Sequence, residues 1–596
     1  MSFAAPLVRA STAFALFEDN VAQPAHARWL HNCIGHLRAD HPEQLPACFA
    51  TLDAARAQGH WVALAAHYEL GLAFEPVLQP NLGADQPLLR AWIFTEASSL
   101  AGDALESWWQ TRLDALSPQA REGGLLTLYP TWDESRHASA CHRILDWIKA
   151  GDCYQVNLTF PLHGRHYGHP LAVAHALRAT QGSAHGALIH DGQDWILSRS
   201  PELFITRCGE RLKARPMKGT AARSPDPVED AARAQALATS PKDQAENLMI
   251  VDLIRNDLGR LTAPGGVEVT SLFSVERYAS VYQLTSSIEA APVRAGLEET
   301  LRALFPCGSV TGAPKIRAMQ IIDTLEGAPR GIYCGGLGWI APDGDFSLNV
   351  PIRTLLLTQQ GNCRLDVGSG IVADSNPTDE YRECLTKARF AMPDLHLIET
   401  LRREADGCYP LLAGHLARLA ASAAKLGFIC PQPAIRAALM QEPAEGLLRV
   451  RLQLWRDGRF VITSRPLDPQ PVQPRITPAG FTLDSTDPRL HHKTSARRFY
   501  DEALQQALEA GLYDVLFCNE HGALCEGARS NLFLSIDDGP LLTPASDAGL
   551  LPGVLRADLL ARGLAREAML TPADLVRARH IYMGNALRGL VKVTLV

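Results

Sequence analysis

The stretch Arg211–Arg260, RLKARPMKGTAARSPDPVEDAARAQALATSPKDQAENLMIVDLIRNDLGR, decides how the first two thirds of the chain are read. It opens with a strand-like run ending in Arg215-Pro216-Met217-Lys218-Gly219-Thr220. Glycine directly after the lysine permits a bend that a β-carbon would resist, so Lys218 falls at the tip of a turn. Two helices are predicted to follow, one from about Val228 to Ala238 and one opening with Ser240 as N-cap and Pro241 at its first position. Positions 246, 250, 253 and 257 of the second share a stripe at helical spacing and read Glu, Ile, Leu and Asp. A carboxylate on such a face is costly unless a metal ion, a base or an arginine pairs with it. Taken singly, Lys218 is a solvated turn lysine and Glu246 a salt-bridged residue at the core edge.

Composition bounds the rest. A chain of 596 residues is too long for one core and implies two to four domains. Hydrophobic content of 46%, charged content of 20% and a net charge of −7 are those of a globular protein without a nucleic-acid surface. The thirteen cysteines are scattered singly, with neither a CxxC pair nor a zinc spacing, which fits a reducing cytoplasm. The opening MSFAAPLVRASTAFALFEDN meets an acidic pair before any apolar run reaches signal or spanning length, so a cytoplasmic protein with no membrane segment is expected.

Along the chain, residues 1–120 mix strand-like runs (WVALAAHYEL, LLRAWIFTE) with Ala- and Leu-rich helical stretches and carry no recognisable chemistry. RILDWIKAGD reads as a helix leading into the strand CYQVNLTFPL, and ALIHDGQDWILSRSPELFITRCGERLKARP as alternating strands broken by Asp-Gly and Cys-Gly turns. Glu202 follows Pro201, sixteen residues before Lys218; alone it is a solvated strand-edge residue. A helix opening near Asn376-Pro377 would project Glu380, Glu383 and Lys387 from one face. Alone, the last two are an i,i+4 surface pair.

SPELF (Ser200–Phe204), RPMKGT, AENLMIVDLIRNDLGR, PCGSVTGAPKIRAM (Pro306–Met319) and GSGIVADSNPTDEYRE (Gly368–Glu383) occur in the order and spacing of the chorismate-utilising enzymes. The resemblance covers roughly residues 120–390 and is strongest to component I of aminodeoxychorismate synthases. It implies a two-sheet, β-sandwich-like core with flanking helices. It also implies Lys218 as the nucleophile that attacks C2 of chorismate and expels the C4 hydroxyl, Glu202 as the general acid, and Mg²⁺ held by Glu246 and Glu383 with Glu380 close by. Substrate carboxylates fall to Arg353 and Lys387, the Gly368-Ser369-Gly370 backbone is expected to approach an anion as a nest, and Thr311 is a further substrate contact. Relatives that add water place a lysine where this chain has Gln155, which does not titrate near neutrality and disfavours that reaction. Anthranilate synthases usually carry alanine in place of Lys218 and histidine in place of Gln283. Leu16-Phe17-Glu18-Asp19 resembles the family's tryptophan pocket only weakly, and no feedback control is inferred. With no Gly-x-Cys-x-Gly segment among the cysteines, ammonia is expected from solution or from a separate glutamine amidotransferase subunit.

After Ala391-Met392-Pro393 a second unit begins. LIETLRREADGCYPLLAGHLARLAASAAKLGF, LHHKTSARRFYDEAL, DVLFCNEHGALCEGARSNLF, GLLPGVLRADLL and IYMGNALRGL resemble class IV pyridoxal-phosphate enzymes, particularly aminodeoxychorismate lyases. The family's usual first hairpin is missing or borrowed from the linker. By motif, Lys493 would bond the cofactor aldehyde and Glu526 would face the pyridine nitrogen. Arg418, with the turn leading through Gly553 and Val554 into a helix, would cradle the phosphate, with Asn585 adding a contact.

The expected organisation is therefore α+β and α/β: a divergent N-terminal part (1–120), a chorismate-binding body (121–391), a linker (392–396) and a class IV unit (397–596). The expected function is amination of chorismate followed by pyridoxal-phosphate-dependent loss of pyruvate, giving 4-aminobenzoate for folate synthesis. The alternatives are an anthranilate-type first domain with an amino-acid transaminase, and an inert C-terminal module.

Overall fold

The computed structural model describes residues 12–83, 86–277, 281–441, 446–470 and 472–596. The chain forms two compact units. The first runs to Gln110 and includes Tyr129–Gly164 and Ala174–Ala391; the second joins Thr111–Leu128 and Arg165–Val173 to Met392–Val596.

In the first unit, eighteen strands among the described residues hydrogen-bond into one network. The hairpins expected from turn chemistry form. His185–His190 pairs with Trp195–Ser200 across a turn in which Asp191 Oδ1 accepts the Gln193 and Asp194 N–H groups. Leu203–Cys208 pairs with Arg211–Arg215. The helices Pro227–Ala238 and Pro241–Gly259 are capped as their sequences dictate: Asp226 accepts from the Val228 and Glu229 N–H groups, and Ser240 from that of Asp243. The second helix buries Ile250 and Leu258 and is fixed to the strand Val281–Ala290 by the Ser286 hydroxyl, 2.6 Å from Asn247 Oδ1. Asp257, at the end of the expected stripe, is buried and has the partner such a carboxylate requires, Lys315 at 2.6 Å.

The second unit is built from three pieces of chain. Leu126 and Tyr167, from the two inserted segments, share an apolar cluster with Leu397, Leu401, Leu416 and Val450. Arg489 is held by Asp487 at 2.7 Å and Glu122 at 3.2 Å. The body expected over 397–596 therefore includes residues from far upstream, and position 120 falls inside one of the inserted pieces. His396–Arg403, Leu448–Trp455 and Phe460–Pro466 form an antiparallel three-stranded sheet. On its central strand Leu448, Val450, Leu452 and Leu454 alternate into the core, leaving Arg449, Arg451 and Gln453 on the other face. An eight-stranded sheet of mixed parallel and antiparallel pairs completes the unit.

Lys315→Ala is expected to leave the buried Asp257 with only Arg260, 3.5 Å away and itself exposed, and to destabilise the first unit by about 2–4 kcal/mol, read as a lower urea midpoint. Asp257→Leu combined with Lys315→Met should recover most of that loss. An unchanged midpoint in Lys315→Ala would mean that the pair is solvated.

Candidate active sites

Lys218 lies in the strand Met217–Ala222, where the ladder is interrupted. Met217 pairs with Thr285 and Thr220 with Gln283, so one extra residue bulges between them, and Gly219 takes φ +89°. The bulge aims the Lys218 amine at the Ser309 carbonyl, 3.2 Å away. The Ser309 hydroxyl donates to Glu202 Oε1 at 2.7 Å, so one residue touches both the expected nucleophile and the expected acid. Glu202 is buried, and its carboxyl is pushed above the ordinary range by burial, against the opposing pull of Ser309 and the Lys218 charge. Burial pushes the Lys218 amine down; Glu202 and Glu246 oppose this, and the Lys387 charge adds to it. A carboxyl biased toward its protonated form and an amine biased toward its free form are what proton donation and nucleophilic attack require.

The three expected metal carboxylates stand differently. Glu246 is half-buried, its carboxyl raised by burial and by the nearby charges of Asp243 and Glu380 against the pull of Lys218 and Lys242. It makes no hydrogen bond or ion pair with the described residues. Glu380 accepts from the Ser375 hydroxyl at 2.6 Å, and Glu383 is paired with Lys387 at 2.7 Å. Among the described residues no group of three or more His, Cys, Asp or Glu side chains is gathered to hold a metal. With Glu383, an expected ligand, tied to Lys387, the acid whose charge Glu246 senses is Glu380, which leaves one or two carboxylates of the kind a hydrated Mg²⁺ commonly takes.

Lys387 also donates to the Gly368 carbonyl at 2.9 Å. The nest expected at Gly368-Ser369-Gly370 is not formed. These residues continue the strand Asn362–Ile371, in which successive N–H groups point to opposite edges. The glycines serve close packing instead: a β-carbon at Gly368 would lie 2.7 Å from the Leu158 carbonyl, and one at Gly370 would lie 3.0 Å from Gln155 Nε2. Gln155 is buried with both amide atoms unpartnered among the described residues. The Thr311 hydroxyl is engaged by the Cys307 and Gly308 carbonyls at 3.1 and 3.3 Å, so its donor holds the loop rather than facing a ligand. Arg353 takes φ +51°, a backbone conformation costly for a non-glycine residue, and its carbonyl accepts from the Arg199 N–H at 3.0 Å.

In the second unit a cavity of about 560 Å³ is lined by Lys493, Glu526, Arg418, Gly553, Val554 and Asn585 among others, so all six expected cofactor residues meet there. The Lys493 backbone is tied down by its carbonyl, which accepts from the Ile398 N–H at 2.8 Å. Burial, with help from the Arg497 and Arg418 charges, pushes its amine down to about 7. Glu526 is pushed up to about 7 by burial, although Tyr500 (2.8 Å), the Leu551 N–H (3.0 Å) and Asn531 (3.2 Å) all donate to it. Gly553 caps the helix Val554–Ala561, and a β-carbon there would lie 1.9 Å from Asn531 Oδ1, so only glycine fits.

Two of the six are already engaged by neighbouring residues. Arg418 does not offer an open fork: Nε and Nη2 bind Glu399 at 2.9 and 2.6 Å, and Nη1 reaches the Pro552 carbonyl at 3.3 Å. Burial raises the Glu399 carboxyl, but Arg418 and His415 outweigh it and bring the group down to about 2. The Asn585 amide is spent on a turn, donating to the Arg529 carbonyl and Ser530 hydroxyl while accepting from the Leu587 and Arg588 N–H groups. The sequence reading missed Ser309, Tyr500 and Asn531. All three lay inside quoted motifs, but only the fold sets Ser309 against Glu202 and Lys218, and Tyr500 and Asn531 against Glu526.

Residues 13–393 match the family model of chorismate binding enzymes, and the chain belongs to that family. Residues 396–596 match amino-transferase class IV, so a chorismate-binding domain is followed by a class IV aminotransferase domain. Aminodeoxychorismate synthase component 1 of Escherichia coli K12 is 39% identical over 298 residues, covering 49% of this chain and 64% of that protein, so the chain spans less than two thirds of its relative's length. A Bacillus anthracis structure described as an isochorismate synthase shares the fold of the first part at 21% identity and a TM-score of 0.51, covering 64% of this chain and 96% of that one. A Mesorhizobium loti structure described as an amino-acid aminotransferase is 40% identical, covering 34% of this chain and all of that one, with a TM-score of 0.33. No helix among the described residues is long and apolar enough to cross a membrane.

An amine that titrates near 7 when folded and near 10.5 when free leaves the folded protein with fewer bound protons between those values, so its contribution to stability rises with pH across that window. Lys493→Met is expected to abolish the rise between pH 7 and 10. Parallel stability curves for the two proteins would show that the amine is hydrated.

Proposed function

We propose that the chain is a bifunctional enzyme of 4-aminobenzoate formation, the first unit aminating chorismate to 4-amino-4-deoxychorismate and the second releasing pyruvate from that product. The observation that carries the first half is Ser309, which joins a carboxyl and an amine whose surroundings favour their neutral forms. In the proposed sequence the neutral Lys218 amine forms a bond to ring C2. Both conjugated ring double bonds shift by one position toward C4, and the C4–O bond breaks as Glu202 gives its proton to the departing hydroxyl, which leaves as water. Ammonia then adds at C4, both double bonds shift back, and the bond to Lys218 breaks. Mg²⁺ at Glu246 and Glu380 would supply positive charge for a substrate carboxylate. Gln155, with its unpartnered amide, is a candidate for the polar substrate contact that Gln283 leaves unassigned.

For the second unit, the cavity residues support pyridoxal phosphate. When bound, this cofactor supplies an electron sink for carbon acids. Lys493 would move the C4 proton, and Glu526, oriented by Tyr500 and Asn531, would hold a proton at the pyridine nitrogen. Gly553 and Val554 would present helix N–H groups to the phosphate, with Arg418 adding a charge shared with Glu399. Ammonia would come from a separate glutamine amidotransferase, in keeping with the "component 1" of the E. coli relative's name. Amino-acid transamination is the second reading for this unit, favoured by the identity to the M. loti protein.

Purified protein given chorismate, ammonium and Mg²⁺, with pyridoxal phosphate present, is expected to yield 4-aminobenzoate and pyruvate. Lys218→Ala should lower amination at least a hundredfold, and wild-type amination by that variant would rule out the covalent route. Ser309→Ala removes a bond that holds the Glu202 carboxyl down, so the high-pH limb of the pH–rate profile, where the proton donor ionises, should move to higher pH. An unmoved limb would mean that Glu202 is not the proton donor.

A further inference from the structure

The three-stranded sheet of the second unit places Arg449 directly opposite Arg465 in register, and both face the cavity that Lys493 lines. Arg451, two residues along the same strand, faces it too. Like charges directly opposite each other on an antiparallel pair are destabilising, and for the half-buried Arg449, though not for the exposed Arg465, loss of water adds to the cost. Neither of the opposed arginines, nor Arg451, forms an ion pair with the described residues. The acids that face them do not neutralise the group: Asp468 is sensed by Arg449 and Asp501 by Arg451, but Asp501 is bonded to Arg497 at 3.0 Å. Burial and the mutual repulsion of Arg465, Arg451 and Arg529 hold the Arg449 guanidinium below its ordinary range. Glu526 and Glu399, the other buried acids nearby, are committed to Tyr500, Leu551 and Asn531 and to His415 and Arg418.

We propose that Arg449, Arg465 and Arg451 form a subsite for two carboxylates, so that the second unit selects an amine bearing two acid groups over an ordinary monocarboxylic amino acid. One carboxylate can occupy one guanidinium fork and leaves the opposed pair short of negative charge; two carboxylates satisfy both. The amine end of the ligand is directed to Lys493, the amine-bearing wall of the same cavity. This rests on the proposed cofactor chemistry of the unit and deepens the lyase reading, because 4-amino-4-deoxychorismate carries two carboxylates; it opposes transamination of monocarboxylic amino acids.

The test uses the full chain reconstituted with pyridoxal phosphate and follows the visible cofactor band, which reports on the second unit alone. Benzene-1,3-dicarboxylate is expected to perturb the band at a concentration at least tenfold lower than benzoate. Arg449→Gln/Arg465→Gln should bring the two ligands to parity, keep the band, and raise the melting temperature of the ligand-free protein by relieving the repulsion. Equal affinity in the wild type, or a preference kept by the double variant, overturns the subsite. Loss of the band in the double variant would mean that the arginines hold the cofactor instead, and also overturns it. A wild-type protein with no band sinks the cofactor reading, a result distinct from equal affinities with the band intact.

Discussion

The removal of lysine amines from water is the constraint on which both sites depend. An exposed amine is protonated at neutral pH and cannot attack carbon; burial penalises the cation, and nearby positive charge penalises it further. Each unit supplies both effects with its own architecture. In the first, a one-residue bulge turns Lys218 out of its ladder toward Ser309, with the charge of Lys387 close enough to be sensed. In the second, a loop pinned to the strand His396–Arg403 holds Lys493 in a cavity rich in guanidinium groups. A buried carboxyl accompanies each amine, raised by the same loss of water that lowers the amine. Desolvation thus prepares acid and base together.

Much of this was legible in the sequence because it was written in local rules. Ser240 before Pro241 and Asn376 before Pro377 announce helix starts, and the caps form as the side chains dictate. Gly219 after Lys218 announces a bend, and the bulge is there. The motifs carried the family likeness over the first body, and the class IV motifs brought six residues scattered over nearly 170 positions to one cavity.

What was not legible depends on partners chosen in three dimensions. No spacing rule links Arg418 to Glu399, so the ion pair that holds the expected phosphate arginine could not be read from the chain. A glycine-serine-glycine run reads equally well as an anion nest or as a strand packed too tightly for side chains, and the contacts of Gly368 with Leu158 decide for the strand. Arg449 and Arg465 look like two solvated charges until the register of their strands sets them face to face. A linear reading of domains also misses that Leu126 and Tyr167 belong to the second hydrophobic core.

That last feature bears on how the polypeptide is made. Besides the neighbouring Asp487, Arg489 takes a second carboxylate from Glu122, 367 positions earlier. At translation rates of about 5–20 residues per second, the early segment waits roughly twenty to seventy seconds for its partner to leave the ribosome. Until residues 395–454 have been made, Leu126 lacks most of the core it enters. The nascent chain must carry uncovered apolar surface through most of its own synthesis, and a gene cut at the apparent junction would encode a fragment lacking the pieces that close it.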